Sequence, residues 1–316
     1  MAKQKILITG GRGFIGTNLV RRIRTSNPGA DLVVLDNGSM AIPGGMDASV
    51  IALEGDVRDP AAVKQAVAGC TAIIHLAGHT RVVDSIRNPE FDFEVNARGT
   101  LNVLLAARDG GVSHVVLAST GGALFGAETA PTHEGLVPEP LSPYGASKLA
   151  MEAYAHAFAG SFGIRTSALR FSNVYGPHSR LKGSAVALFF RQILARQPIT
   201  IYGDGSQARD FVYVEDLCDG ILKALESSAT GTFHLGSGKP TSVATLLEIM
   251  REVVGPEWPF EVRYAPWRAG EVVRTYSDIG KATRTFGYRP RVSLDEGLPR
   301  TWRWFLDQHA AARQEP

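Results

Sequence analysis

The run Lys5-Ile-Leu-Ile-Thr-Gly-Gly-Arg-Gly-Phe-Ile-Gly16 decides how the rest of the chain is to be read. Lys5 to Thr9 is a short apolar segment with strand character, and from Phe14 to Arg24 the pattern is helical. The glycines between them satisfy two spacings, Gly-x-x-Gly-x-x-Gly at Gly10, Gly13 and Gly16, and Gly-x-Gly-x-x-Gly at Gly11, Gly13 and Gly16. Between a strand and a helix, such glycines permit a tight turn and let a pyrophosphate approach the positive helix N-terminus. Phe14 and Ile15, which open the helix, join Gly10, Gly13 and Gly16 as candidate cofactor-binding residues.

Outward from this loop, a second apolar run, Asp31 to Asp36, places Asp36 20 residues after Gly16. A carboxylate at that point can bind the adenosine ribose hydroxyls and repels a 2′-phosphate, so NAD is expected over NADP. Asn37 follows it in the same loop. Asp56 and Val57, after a third apolar run (Val50 to Leu53), would lie near the adenine; Asp56 reads almost equally well as a turn residue before Arg58-Asp59-Pro60. A fourth run, Ala72 to Leu76, brings Leu76 and Ala77 to the cofactor, while His75 reads as a satisfied core histidine. Further runs at His114 to Ala118 and Thr166 to Leu169 alternate with helical patterns at 60–68, 89–108 and 144–160. This alternation predicts an α/β fold, a doubly wound parallel (Rossmann) sheet that binds ligands at the carboxyl ends of its strands. Asn96 is polar within an apolar helical stretch and needs a partner, either at the cofactor site or in the backbone.

Beyond residue 172 prolines interrupt shorter elements and tryptophans accumulate (Trp258, Trp267, Trp302, Trp304). A Rossmann domain over 1–172, with 210–237 returning to it, and a smaller mixed α/β domain over 173–316 are expected. The 316 residues carry a net charge of +2 and a 44% hydrophobic fraction, so a large core is available and no charge bias points to nucleic acid or a membrane surface. No apolar run approaches the roughly 18 residues of a membrane span. Cys70 and Cys218 read as reduced core thiols, and with an apolar strand starting at Lys5 a cytoplasmic protein is expected.

Tyr144 and Lys148 stand four residues apart in Ser142-Pro-Tyr-Gly-Ala-Ser-Lys148. On a helix they share a face, and an ammonium beside a phenol favours the phenolate. A tyrosine that ordinarily titrates at about pH 10 would then serve as a general base.

With the glycine loop, Asp36, Asn96 and the Tyr144/Lys148 pair in this order, the chain resembles the extended short-chain dehydrogenase/reductases, most closely their nucleotide-sugar epimerase/dehydratase branch. Three later segments carry the resemblance further: Leu169-Arg-Phe-Ser-Asn-Val-Tyr-Gly-Pro177, Ile201-Tyr-Gly-Asp-Gly-Ser-Gln-Ala-Arg-Asp-Phe211 and Arg268-Ala-Gly-Glu271. The resemblance implies that Tyr144 takes a proton from a sugar hydroxyl while the carbon gives hydride to NAD, and that Lys148 also holds the nicotinamide ribose. It implies Asn173, Arg209 and Arg268 on the nucleotide diphosphate, Gly183 to Phe189 over the nucleotide base, and a homodimer through the helices at 89–108 and 144–160, where Ala106, Ala107, Ala150, Ala153 and Ala157 suit close packing.

The chain also departs from that family. In Leu117-Ala-Ser-Thr-Gly-Gly-Ala-Leu-Phe-Gly126 the position of the third catalytic hydroxyl is Gly121. Thr120 becomes the candidate for that hydroxyl and for sugar contact, with Ser119 beside it as a cofactor contact. The Asp-Glu pair of the dehydratases is replaced by Gly122 and Ala123, which argues for an epimerase and opens space near the sugar. UDP-glucose/UDP-galactose 4-epimerisation is the expected activity. A UDP-glucuronate 4-epimerase or decarboxylase is the alternative on the same scaffold; Arg81 could meet its carboxylate but reads more readily as a surface arginine. A non-catalytic NAD-binding scaffold is the alternative from another class.

Overall fold

The computed structural model describes residues 4–42, 47, 49–126, 131–227, 229–267 and 272–313. The first half runs β1 (Lys5–Thr9), α1 (Phe14–Ser26), β2 (Asp31–Asp36), β3 (Ile51–Glu54), α2 (Pro60–Val67), β4 (Ala72–His75), α3 (Val82–Arg87), α4 (Pro89–Phe93), a π turn (Glu94–Arg98), α5 (Gly99–Asp109), β5 (His114–Thr120), α6 (Pro143–Phe162) and β6 (Arg165–Phe171). The second half runs β7 (Asn173–Tyr175), α7 (Ala185–Leu194), β8 (Ile199–Tyr202), β9 (Ala208–Tyr213), α8 (Val214–Glu226), β10 (Gly231–Leu235), β11 (Pro240–Ser242), α9 (Val243–Val254), β12 (Val262–Ala265), β13 (Arg274–Thr275), α10 (Gly280–Phe286) and α11 (Leu294–Ala312).

Seven strands form one parallel sheet in the order β10-β6-β5-β4-β1-β2-β3. β1 lies inside it because Ile6, Leu7 and Ile8 are apolar on both faces, each at most 2% exposed. On one side α1 and α8 cover the sheet through Leu19, Ile23, Leu217 and Ile221; on the other, Val63, Val103, Leu104 and Met151 do so from α2, α5 and α6. The chain steps from β1 outward to β2 and β3, then returns to β4 on β1's other side. That reversal opens a crevice beyond the carboxyl ends of β1 and β4, where doubly wound sheets bind ligands.

The strands β11, β9 and β13, with β7 paired to β9, make a smaller sheet, and β8 pairs with β12. Their core is aromatic and aliphatic: Phe190, Ile193, Leu246, Met250, Trp302 and Phe305. From β9 the chain passes straight into α8, which packs on α1, and then into β10 at the edge of the large sheet.

The expected single helix over 89–108 is replaced by α4, the π turn and α5, preceded by the short α3. Asn88 caps α4 by accepting from the Phe91 amide, and Asn96 at the widened turn is buried with its amide bonded outside the helix. Ala106 and Ala107 are core residues rather than surface ones, while Ala153 and Ala157 on α6 are exposed. Cys70 and Cys218 are buried and free of any disulfide. Among the described residues no helix is long and apolar enough to cross a membrane.

Candidate active site

The glycines at the end of β1 divide by what surrounds them. Gly10 has φ +69°, and a Cβ there would lie 2.7 Å from the Ala77 amide nitrogen. A Cβ on Gly16 would meet Gly11 Cα at 2.5 Å, so both positions demand glycine for close packing. Gly13 is different: its Cβ would meet only the Gly10 carbonyl at 3.4 Å, and it borders open space. It is also the N-cap of α1 and has no side chain to cap with, so the amides that begin with Phe14 and Ile15 await a partner from outside. Leu76 and Ala77 run beneath the loop, their amides donating to Thr9 O (3.1 Å) and Thr9 Oγ1 (3.2 Å). His75, buried between Thr9 Oγ1 and Thr100 Oγ1, is held down to about 3 by burial and is a core residue.

Asp36 is buried at the end of β2 and accepts from the Arg12 amide (2.9 Å) and the Gly38 amide (2.8 Å), which ties the glycine loop to the neighbouring strand. Beside it Asn37 Nδ2 donates to Asp56 Oδ2 at 2.8 Å. Arg58 grips the same carboxylate with two 2.9 Å bonds and holds it down to about 2. Val57 turns its side chain into the core under Gly99. An uncapped helix start, open space at Gly13 and a buried acid at the next strand end fit a dinucleotide's pyrophosphate and ribose.

Tyr144 lies in the first turn of α6. Ser142 caps that helix with Oγ 3.2 Å from the Gly145 amide, Pro143 opens it, and Ser85 Oγ accepts from the Tyr144 amide at 3.1 Å. Gly145 lies so tightly against the Ala123 carbonyl that a Cβ there would collide with it. This approach sets Tyr144 against the end of β5, where the Thr120 hydroxyl lies near enough to the phenol to favour its phenolate. Lys148, one turn on, donates from Nζ to Ala118 O at 2.9 Å. A Cβ at Gly78 would lie 3.1 Å from that Nζ, so glycine gives the ammonium its room.

The electrostatics correct the expectation drawn from spacing alone. Burial pushes the Tyr144 phenol up to about 12; the Thr120 bond works in the opposite direction, and Asp92 adds to the rise. Burial likewise pulls Lys148 down to about 8, against Asp92 and Glu152, which favour its charge. Desolvation by burial penalises both charged forms, and it outweighs Thr120 at the phenol and the two carboxylates at the ammonium.

Ser119 and Thr120 face opposite ways. Ser119 Oγ donates to Glu152 Oε1 at 2.5 Å, and Arg170 grips that carboxylate at 3.0 and 2.8 Å, all within the core. Gly121 is packed in: a Cβ there would stand 3.1 Å from Ser277 Oγ and 3.3 Å from Phe171 O. Thr120 is the hydroxyl in this stretch that meets Tyr144.

The Asn96 amide is taken up by the protein: Oδ1 accepts from the His79 amide, and Nδ2 donates to His79 O, Asp92 Oδ1 and Ser147 Oγ at 3.0, 3.2 and 3.1 Å. Asp92, fully buried, also accepts from Ser147 Oγ and meets His79 Nδ1, both at 2.7 Å. Asp92, Ser147, Ser85 and Glu152 were not singled out in the sequence. The four-residue step from Asp92 to Asn96 on a helix was the available signal.

In the second half, Asn173 follows β6 on β7, half-buried, and Arg209 lies on β9 with Nη1 3.0 Å from Ala208 O. Ser184, within the Gly183 to Phe189 segment, stands at the N-cap position of α7 without a side-chain bond to the helix. Arg268 and its segment to Glu271 lie outside the described residues. Arg81 has an exposed side chain 3.6 Å from Asp84, a surface pair.

The profile of the NAD dependent epimerase/dehydratase family matches residues 6–236. A putative UDP-glucose 4-epimerase of Methanocaldococcus jannaschii is 36% identical over 308 residues, covering 96% of this chain and 99% of that protein. A UDP-glucuronate 4-epimerase of Thermodesulfobacterium geofontis is 36% identical over 236 residues, covering 74% and 72%. The crystal structure of a UDP-glucose 4-epimerase with UDP-glucose from Thermotoga maritima superposes with a TM-score of 0.91 at 33% identity, covering 96% and 99%. A glycine loop, a buried acid at the next strand end and a Tyr-Lys pair at one crevice thus come with full-length likeness: the chain is an NAD-dependent enzyme and belongs to the NAD dependent epimerase/dehydratase family.

Proposed function

We propose that the chain is a nucleotide-sugar 4-epimerase with UDP-glucose and UDP-galactose as its substrates. The feature that carries this reading is the Thr120 hydroxyl beside the Tyr144 phenol at the carboxyl end of β5, followed by Gly122 and Ala123. Tyr144 takes the proton of the sugar 4-hydroxyl and later returns it. Thr120 holds the same oxygen by a hydrogen bond, and Lys148, kept charged by Asp92 and Glu152, favours the negative form of the pair. NAD, when bound, would supply the hydride acceptor for the sugar carbon. Asn173, Arg209 and Arg268 hold the diphosphate, the arginines through planar donors that suit phosphate oxygens. A dehydratase needs an acid to expel water; at 122 and 123 this chain has none.

A second reading, UDP-glucuronate 4-epimerisation, has one observation in its favour. A Cβ on Gly122 would meet nothing nearer than Thr275 Oγ1 at 3.9 Å, leaving space for a larger group on the sugar.

Product analysis after incubating the NAD-loaded chain separately with UDP-glucose, UDP-glucuronate and UDP-N-acetylglucosamine tests the proposal. UDP-galactose from UDP-glucose is the expected result. Conversion of UDP-glucuronate alone would replace the first reading with the second. A folded, NAD-loaded chain that converts none of the three would overturn both readings.

A further inference from the structure

Lys182 has no part in the reading above, yet it is built into the molecule. It lies on the segment between β7 and α7, which crosses back over α1. Asn18 Nδ2, on α1, donates to Pro177 O at 3.0 Å, and His178 turns the chain with φ +68°. The Lys182 amide donates to Ser179 O at 2.8 Å, and Arg191 of α7 clamps the Arg180 and Lys182 carbonyls at 2.5 and 2.8 Å. The backbone of Lys182 is therefore fixed from both sides.

From this anchor its ammonium lies 5.3 Å from the centroid of the Phe14 ring. Phe14 is the first residue of α1, and side chains at a helix start lean back past the N-terminus, here toward the open space at Gly13. Among the described residues, no carboxylate pairs with the Lys182 ammonium and no acceptor hydrogen-bonds to it. Burial alone pulls it down to about 8. A contact with a phenylalanine face is weak compensation for an ammonium partly shielded from water, on a residue that is half-buried. Two residues on, the Ser184 hydroxyl is buried and also without a partner. One segment thus presents two polar groups that the protein leaves unsatisfied, beside a helix start that is unsatisfied too.

We propose that Lys182 is a ligand of the NAD pyrophosphate, delivered from the second half of the chain to the side of the phosphates away from the glycine loop. The inference rests on NAD binding, which family membership establishes, and not on which sugar is turned over. The pyrophosphate then gives the Lys182 ammonium the anionic partner that the described residues do not supply, and the α1 N-terminus and Lys182 hold it from two directions. A cofactor that ends each cycle in the state in which it began has no need to leave, and a ligand from the opposite half of the molecule keeps it in place.

Calorimetric titration of the full chain, freed of nucleotide, with NAD and separately with UDP tests this without turnover. In Lys182→Met the Kd for NAD should weaken by about tenfold to a hundredfold, the loss of one charge-assisted bond. Lys182→Arg should stay nearer the parent, and the Kd for UDP should not change. Unaltered NAD affinity in a folded Lys182→Met chain would overturn the proposal. Loss of UDP affinity with NAD affinity intact would overturn it as well, assigning the lysine to the sugar nucleotide. Should Lys182→Met fail to fold, Lys182→Gln carries the same comparison. Failure of the epimerase reading would appear only in product analysis and would leave these titrations unaffected.

Discussion

Adjacent hydroxyls at the end of β5 have separate duties because a strand points alternate side chains to opposite faces. Ser119 points into the core and completes the bonding of Glu152, whose charge is otherwise met by Arg170. Thr120 points to Tyr144. Thr120→Val, which keeps the shape and removes the hydroxyl, should lower kcat roughly a hundredfold. It should also move the pH–rate profile to higher pH, because a bond favouring the phenolate is lost. Ser119→Ala should leave kcat within a few-fold and cost about 1.5–3 kcal/mol of stability in urea denaturation, the scale of a buried bond to a charged group. Reversed phenotypes would exchange the two roles. At this scale Thr120 and Tyr144 were legible as candidates, since strand ends and four-residue helical steps are local. Their electrostatics were not. The rise of Tyr144 to about 12 is set by burial, which depends on neighbours far along the chain such as Ser85 and Asp92.

The helix α6 does two jobs with two faces. Its inner face carries Tyr144, Ser147, Lys148, Met151, Glu152 and Ala155, all buried. Its outer face shows Ala153 and Ala157, one helical turn apart, with Tyr154 44% exposed beside them. Small residues with one aromatic suit close packing of a second copy, and we infer a homodimer paired through the outer faces of α5 and α6. Sedimentation equilibrium should give twice the 33.9 kDa chain mass, with Ala153→Glu shifting the chain toward monomer. A parent chain that sediments at its single mass would end this inference. The alternating strands and helices could be read from periodicity because each element repeats locally. The break of the 89–108 region into α4, a π turn and α5 could not. It reflects Asn96 bonding to His79 and Ser147, contacts 17 and 51 residues away, and those bonds exist only after the sheet and α6 have assembled.

For the whole molecule, the site follows from topology. Because the chain reverses between β1 and β4, the glycine loop, Leu76-Ala77 and Thr120 converge at neighbouring strand ends, and α6 brings Tyr144 and Lys148 across them. In the proposed site the second half would add Asn173, Arg209 and Lys182 from β7, β9 and the segment before α7. Lys182 was invisible in the sequence, where no motif sets it apart from the other lysines. Only the path of its segment over α1 gives it a place. The account's central claim is that Tyr144 moves the sugar's proton at this crevice while NAD is held independently. The most direct test is turnover of UDP-glucose by Tyr144→Phe, with bound NAD assayed on the same preparation. The account predicts a fall in kcat of about a thousandfold or more with NAD content unchanged. Turnover equal to the parent's would contradict it.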